Sequence, residues 1–464
     1  MKYVSTRGDA PVLGFDDVLL AGLARDGGLY LPETWPELAP VDLAGFAGRP
    51  YPEVATALMA PYLGGGIDVE VVAGIVTEAY ARFRHPAVVP LRQVGSNEWV
   101  LELFHGPTLA FKDVALQVLG RLFDAELTRR GERLTILGAT SGDTGPAAIE
   151  ACRDRDALDV FILHPAGRIS EVQRRQMTTV ASGNVHNLAV EGTFDDCQDL
   201  VKTMFADLAL RERLRLSAVN SINWARVLPQ VVYYAAAAVA LGAPSRPVAF
   251  SVPTGNFGNA FAGWVARRMG VPIAQMVVAS NRNDIATRFL TSGVMEVQQV
   301  HPTTSPAMDI QVSSNLERLL FELLDRDAAA VAGLMARFAE TGHMEVEPER
   351  LAPLRAVFDT ARVDDATVAR AMGEVYAASG HVVDPHTAVG LVAGRECRRD
   401  PAVPLVTLAT AHPAKFPDTV EAATGVRPAL PAHLADLFDR PEHVATLPCD
   451  LAAVRDYVVA NARA

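Results

Sequence analysis

From about residue 133 the chain alternates short apolar, β-rich runs with longer amphipathic ones, and this alternation constrains the fold more than any other feature. The runs are RLTILGA (133–139), DVFILHP (159–165), VHNLAVEG (185–192), PVAFSVP (247–253), IAQMVVAS (273–280) and VPLVTLAT (403–410). Continuous apolar strands bury both faces, so the pattern predicts an α/β fold with a mostly parallel sheet wrapped by helices. Between the runs, DVALQVLGRLFDAELTRRG places Ala115, Val118, Leu119, Leu122 and Leu127 close to one helical face, with the helix start marked by Asp113. Half of the 464 residues are hydrophobic, which assures a sizeable core.

The patterning divides the chain into four stretches. Residues 1–95 read as a separate N-terminal domain of scattered helices and loops, and 96–304 as the main part of the α/β domain. Residues 305–380, including NLERLLFELLDRDAAAVAGLMARFAE, read as a helical insertion low in strand signals, and 381–464 return to the α/β domain. A formal net charge of -12 argues against a general nucleic-acid or anionic-membrane surface. Cys152, Cys197, Cys397 and Cys449 lie far apart with no C-x-x-C pair, so neither a disulfide framework nor a zinc signature is indicated and a reducing cytoplasm is expected. The N-terminus lacks a basic region followed by an apolar one, and the most apolar stretch, VVYYAAAAVALGA (231–243), is too short to span a bilayer.

In open α/β sheets ligands sit at the carboxyl ends of strands, so the turns there are where chemistry is sought. After RLTILGA comes TSGDTG (140–145), which sets hydroxyls, glycines and amides at a helix N-terminus, a ready anion site. After PVAFSVP comes TGNFGNAFAG (254–263), where Gly255 and Gly258 let the backbone approach a phosphate. Neither loop is a P-loop or a G-x-G-x-x-G fingerprint, and either alone could be a structural glycine turn. A lysine adds weight to the pair. Only four of the 42 basic residues are lysines, namely Lys2, Lys112, Lys202 and Lys415. A lysine amine can lose its proton and attack a carbonyl, which arginine cannot do, so Lys112 in HGPTLAFKD (105–113) is a candidate for covalent chemistry, with a surface lysine as the alternative. An amine together with a phosphate cradle points to pyridoxal phosphate, and Thr410 at the end of the last strand supplies a hydroxyl for its pyridine nitrogen.

HGPTLAFKD, GATSGDTG, NSINWAR, VPTGNFGN, DPHTAVG and ATAHPAKFP, with the early STRG and DGGLYLP, stand in an order that resembles the threonine synthases, fold-type-II pyridoxal-phosphate enzymes. The resemblance covers essentially the whole chain. It implies a tryptophan synthase β-like fold and Lys112 as the lysine joined to the cofactor aldehyde. It further implies that Gly255, Asn256, Phe257, Gly258 and Asn259 hold the cofactor phosphate, that Thr410 faces the ring nitrogen, and that Thr140, Ser141 and Thr144 bind the substrate carboxylate. Asp143 stands where many fold-type-II enzymes carry asparagine beside the cofactor's 3-oxygen. The implied reaction converts O-phospho-L-homoserine and water to L-threonine and phosphate by γ-elimination and β-addition of water, with Lys112 as base at a lowered pKa. Ser221, Asn223 and Arg226, with Asn315 and Arg318, are the candidates for the substrate phosphate, because arginine fits phosphate bidentately. Each arginine could also be an ordinary salt-bridging helix residue.

Two other readings stay open: another lyase on the same scaffold, either a phospho-lyase giving 2-oxobutyrate or a hydroxy-amino-acid dehydratase, or a catalytically silent small-molecule-binding relative. Lys415, five residues after Thr410, is the competing candidate for the cofactor link and ranks below Lys112. His105, His386 and His412 read as structural, and no histidine pair has metal-ligand spacing, so no catalytic metal is expected. The expected partner is a small-molecule substrate, with no nucleic acid or membrane. A monomer is expected, with a dimer as the alternative.

Overall fold

The computed structural model describes residues 1–463. All six runs expected as strands are strands, but they divide between two sheets. The first sheet has the order Phe358–Arg362, Ile273–Ser280, Val248–Pro253, Leu405–Ala409, Glu98–Glu102, Leu91–Gly95, parallel throughout except for the last pair. The second is fully parallel, in the order Ala445–Pro448, Val185–Glu191, Leu158–Pro165, Leu134–Ala139, Leu216–Ser217. The apolar pattern alone suggests one wrapped sheet, whereas the mostly parallel open sheets that the resemblance implies are what the structure has, three of the six runs in each of two sheets. Apolar runs such as Leu158–Pro165 and Val248–Pro253 are buried at every residue, which is why they were visible. Burial on both faces does not encode which neighbour a strand takes.

The helix Lys112–Arg130 begins where Asp113 marks it, and most of its residues are buried. It packs against the helices Thr144–Cys152 and Trp224–Ala240. Gly120 lets the first contact close, since a Cβ there would stand 2.3 Å from the Ala151 carbonyl oxygen. Helix Trp224–Ala240 starts at Asn223, whose side chain accepts from the Ala225 N–H.

Packing and strand pairing cross two of the boundaries drawn from the sequence. The N-terminal stretch is not a separate core: Tyr3, Phe15, Tyr62 and Val76 belong to one continuous apolar cluster with Val114, Trp224, Phe250 and Ile136. Leu91–Gly95 is itself the antiparallel edge of the first sheet. The stretch 305–380 carries the helices Leu316–Leu323, Ala328–Thr341 and Asp365–Ser379, but also Phe358–Arg362, which pairs with Ile273–Ser280. That strand was missed because an edge strand keeps only Phe358 fully buried and so lacks an apolar run. Among the described residues no helix is long and apolar enough to cross a membrane.

Candidate active site

Lys112 is placed by the backbone before it. Leu109 adopts a left-handed φ of 62°, and the segment after it pairs with the end of strand Leu405–Ala409. The Phe111 N–H donates to the Thr410 carbonyl at 2.9 Å, the His412 N–H donates to the Leu109 carbonyl at 3.0 Å, and Ala110 bridges Ala411. These contacts bring the first residue of the lysine helix to the strand end that carries Thr410. Asp113 anchors the turn, accepting from the Thr108 N–H and hydroxyl at 2.8 Å each. Gly106 passes so close that a Cβ would lie 2.5 Å from the Asp113 side chain. Burial pushes the Asp113 carboxyl up to about 7 against those two hydrogen bonds.

The Lys112 amine makes no hydrogen bond among the described residues. Desolvation lowers its pKa to about 8, with the Asp143 carboxylate opposing the shift and Arg226 and Lys415 reinforcing it. An amine of that acidity is in part neutral near physiological pH, the condition for a nucleophile or a general base.

The glycine loop after Val248–Pro253 runs into helix Gly258–Arg268 through Phe257, which holds a left-handed φ of 61° with its ring fully buried. Its interior is self-bonded: the Thr254 hydroxyl donates to the Asn259 side-chain oxygen at 2.6 Å and accepts from the Phe257 N–H, while Asn259 Nδ2 donates to the Pro253 carbonyl. The N–H groups of Gly255, Asn256, Gly258 and Asn259 have no acceptor among the described residues. Gly255 is required for approach as well as for turning, because a Cβ there would meet the Ala307 carbonyl oxygen at 3.1 Å. Free amides at a helix N-terminus form a phosphate cradle, the lysine amine is unbonded, and the Thr410 hydroxyl has no partner among the described residues. The residues present therefore fit pyridoxal phosphate.

In TSGDTG, Thr140 is committed to the turn: its hydroxyl donates to the Gly142 carbonyl and accepts from the Gly142 and Gly145 N–H groups. The hydroxyls of Ser141 and Thr144 are uncommitted among the described residues. Asp143 sits at the N-cap of helix Thr144–Cys152, buried, with Lys415 Nζ at 2.6 Å and Gln173 Nε2 donating at 2.7 Å. The two nearby ammonium groups hold the Asp143 carboxyl well below the usual carboxylate range despite its burial. Lys415 is thus ion-paired rather than free.

The candidates for the substrate phosphate separate into two kinds. Arg226 is 4% exposed, has no carboxylate partner, donates from one terminal nitrogen to the Val219 carbonyl at 2.8 Å, and leaves its buried Nε without an acceptor. The Ser221 hydroxyl is also uncommitted. Arg318, Asn315 and Asn223 are engaged by groups of the protein itself. Arg318 donates to the Tyr30 and Ile222 carbonyls and to the Asn315 side chain, with its guanidinium over Trp224. Asn315 Nδ2 donates to the Ser221 and Asn256 carbonyls, and Asn223 ties the turn to Leu19. The sequence could not separate Arg226 from Arg318, because both are buried arginines in polar motifs and only the acceptors around them differ.

The three histidines singled out from the sequence find partners within the protein. His105 Nε2 lies 2.7 Å from Glu102, His386 Nδ1 lies 2.6 Å from Asp384 while its Nε2 accepts from the Ala307 N–H, and His412 Nδ1 accepts from the Ala414 N–H. Sequence reasoning missed the Asp143–Lys415 pair. Its one trace in the sequence is that Lys415, like Lys112, is a lysine in a chain that writes nearly every other positive charge as arginine.

Three family profiles match in chain order: "Threonine synthase N terminus" over residues 2–80, "Pyridoxal-phosphate dependent enzyme" over 84–357, and "Threonine synthase, C-terminal" over 387–458. A threonine synthase of Pseudomonas aeruginosa is 57% identical over 459 residues, covering 99% of this chain and 98% of its own. The crystal structure of PLP-bound threonine synthase from Brucella melitensis matches with a TM-score of 0.98 at 56% identity, over 100% of both chains. The yeast threonine synthase structure matches with a TM-score of 0.95 at 37% identity, over 99% of this chain and 98% of that one. With this similarity along its whole length, a lysine free of hydrogen bonds among the described residues and a loop of free amides, the chain belongs to the threonine synthase family of pyridoxal-phosphate-dependent enzymes.

Proposed function

We propose that this enzyme is a threonine synthase whose substrate is O-phospho-L-homoserine, and that it replaces the phosphate by a hydroxyl at the neighbouring carbon to give L-threonine and inorganic phosphate. Bound pyridoxal phosphate supplies an aldehyde for a primary amine and a conjugated ring that withdraws electrons from the carbon next to that amine. The remaining work falls to the protein. Lys112 holds the cofactor and, being in part neutral, takes up and returns protons beside the reacting carbons. The amides of Gly255, Asn256, Gly258 and Asn259 bind the cofactor phosphate, with Phe257 setting the turn. Thr410 offers its neutral hydroxyl to the ring nitrogen, which tempers electron withdrawal in comparison with a carboxylate. Asp143 would be among the residues that hold the cofactor. Ser141 and Thr144 receive the substrate carboxylate at the start of helix Thr144–Cys152, within a turn that Thr140 shapes.

The observation that carries the substrate assignment is Arg226. A buried guanidinium without a counter-ion costs several kcal/mol, and a substrate phosphate held beside Lys112 offsets that cost. Ser221 adds a hydroxyl to the same anion. Asn223, Asn315 and Arg318 support this site from behind by fixing the loops 219–223 and 254–259.

The test is to incubate the cofactor-loaded enzyme with O-phospho-L-homoserine and to quantify phosphate and amino-acid product together. Equimolar phosphate and threonine support the synthase. Phosphate with 2-oxobutyrate moves the function to a phospho-lyase, and no release with cofactor bound moves it to a silent binding protein. The proposal includes a monomer, to be checked by sedimentation.

A further inference from the structure

The Asp143 carboxylate has two lysines to choose between, and the structure records the choice. Lys415 takes it at 2.6 Å, with 1% of its surface exposed and its ammonium donating also to the Thr108 carbonyl at 2.9 Å. The same carboxylate oxygen also accepts from Gln173. Lys112, close enough for Asp143 to influence its proton affinity, is left without a hydrogen bond. The charged groups acting on Lys112 are Asp143, Arg226, Lys415 and Asp113. Those acting on Asp143 are the two lysines.

We propose that Lys415 is a positioning residue for Lys112: by holding the Asp143 carboxylate it keeps that carboxylate off the Lys112 amine, and so leaves the amine free to add to the cofactor aldehyde with loss of water. The inference rests on the reading of Lys112 as the residue that joins the cofactor. An ammonium locked in a salt bridge is protonated and cannot attack a carbonyl. With Lys415 absent, Asp143 keeps its burial and loses its counter-ion, and Lys112 is the remaining lysine beside it. Lys415 is committed to the pair it forms, which separates its role from that of Lys112.

The experiment mixes cofactor-free enzyme with pyridoxal phosphate and follows the rate of appearance of the lysine-bound absorbance across pH, since that rate tracks the neutral fraction of the attacking amine. Wild type should have its midpoint near pH 8. K415M should move the midpoint up by roughly one unit or more, which is about tenfold less neutral amine at pH 7. D143N removes the attracting charge and should move it down. K415R restores the cation and should return it toward wild type. K415Q still offers a donor to Asp143, carries the same expectation as K415M, and serves should K415M fail to fold. An unchanged or lowered midpoint in K415M or K415Q overturns the proposal. The K112A variant distinguishes the two layers. Loss of the absorbance in K112A with an unmoved midpoint in K415M leaves Lys112 in its role and removes Lys415 from this one; retention of the absorbance in K112A sinks the reading of Lys112 itself.

Discussion

At Lys112 the choice of lysine over arginine is a choice of acidity. Lys112→Arg keeps a cation at the helix start but cannot present a neutral amine, so it should lose the cofactor absorbance and turnover as completely as Lys112→Ala; visible spectra and threonine assays of both check this. The same group sets a pH dependence. Its pKa is lowered from 10.5 to about 8 in the folded protein, so between those values the unfolded chain binds more protons. The stability of the cofactor-free enzyme should therefore rise with pH from 8 to 10.5, and Lys112→Met should flatten that rise in denaturant titrations. Arg226 gives the opposite pairing of effects. Arg226→Met should lower kcat/KM by roughly thirtyfold or more through the phosphate, since losing a buried charged contact costs about 2–5 kcal/mol. It should also raise the melting temperature of the cofactor-free protein, because it removes an unpaired buried charge. A variant that loses activity and stability together would show Arg226 to be structural.

Among the elements, the helices Lys112–Arg130 and Thr144–Cys152 bear the two sides of the cluster: Lys112 opens one, and Asp143 caps the other. They pack tightly at Gly120 against the Ala151 backbone, and no rotamer change relieves a clash with a carbonyl oxygen. Gly120→Ala should cost about 1–3 kcal/mol in stability and weaken cofactor binding by forcing the helices apart; thermal melts and cofactor titration measure the two effects. The strands were legible wherever both faces are buried, as in Val248–Pro253 and Leu158–Pro165. Leu91–Gly95 and Phe358–Arg362 were not, because each is an edge strand with few fully buried residues. The phosphate loop was legible because glycine, threonine and asparagine follow a strand there, whereas its free amides could be counted only once the hydrogen bonds around Thr254 and Asn259 were known.

In the whole molecule, the site is where loops from two different sheets meet. TSGDTG leaves the fully parallel sheet, while the glycine loop and Thr410 leave the other. A ligand contacting both stabilises their association, so pyridoxal phosphate should raise the melting temperature, contributing about 2.7 kcal/mol when present at a hundred times its dissociation constant. A melting temperature indifferent to the cofactor would count against the cradle. The sequence by itself determined the alternating α/β elements, the lysine that had to be a lysine, the two loops that could hold anions, and the family, since these rest on residue type, local spacing and ordered motifs. Only the tertiary structure decided that the strands form two sheets, that Arg318 is bound to backbone carbonyls while Arg226 is left unpaired, and that Lys415 rather than Lys112 takes the Asp143 carboxylate. Each of those outcomes depends on which donors and acceptors from distant parts of the chain come within about 3 Å of one another, a matter of hydrogen-bond reach that residue type and spacing along the chain do not encode.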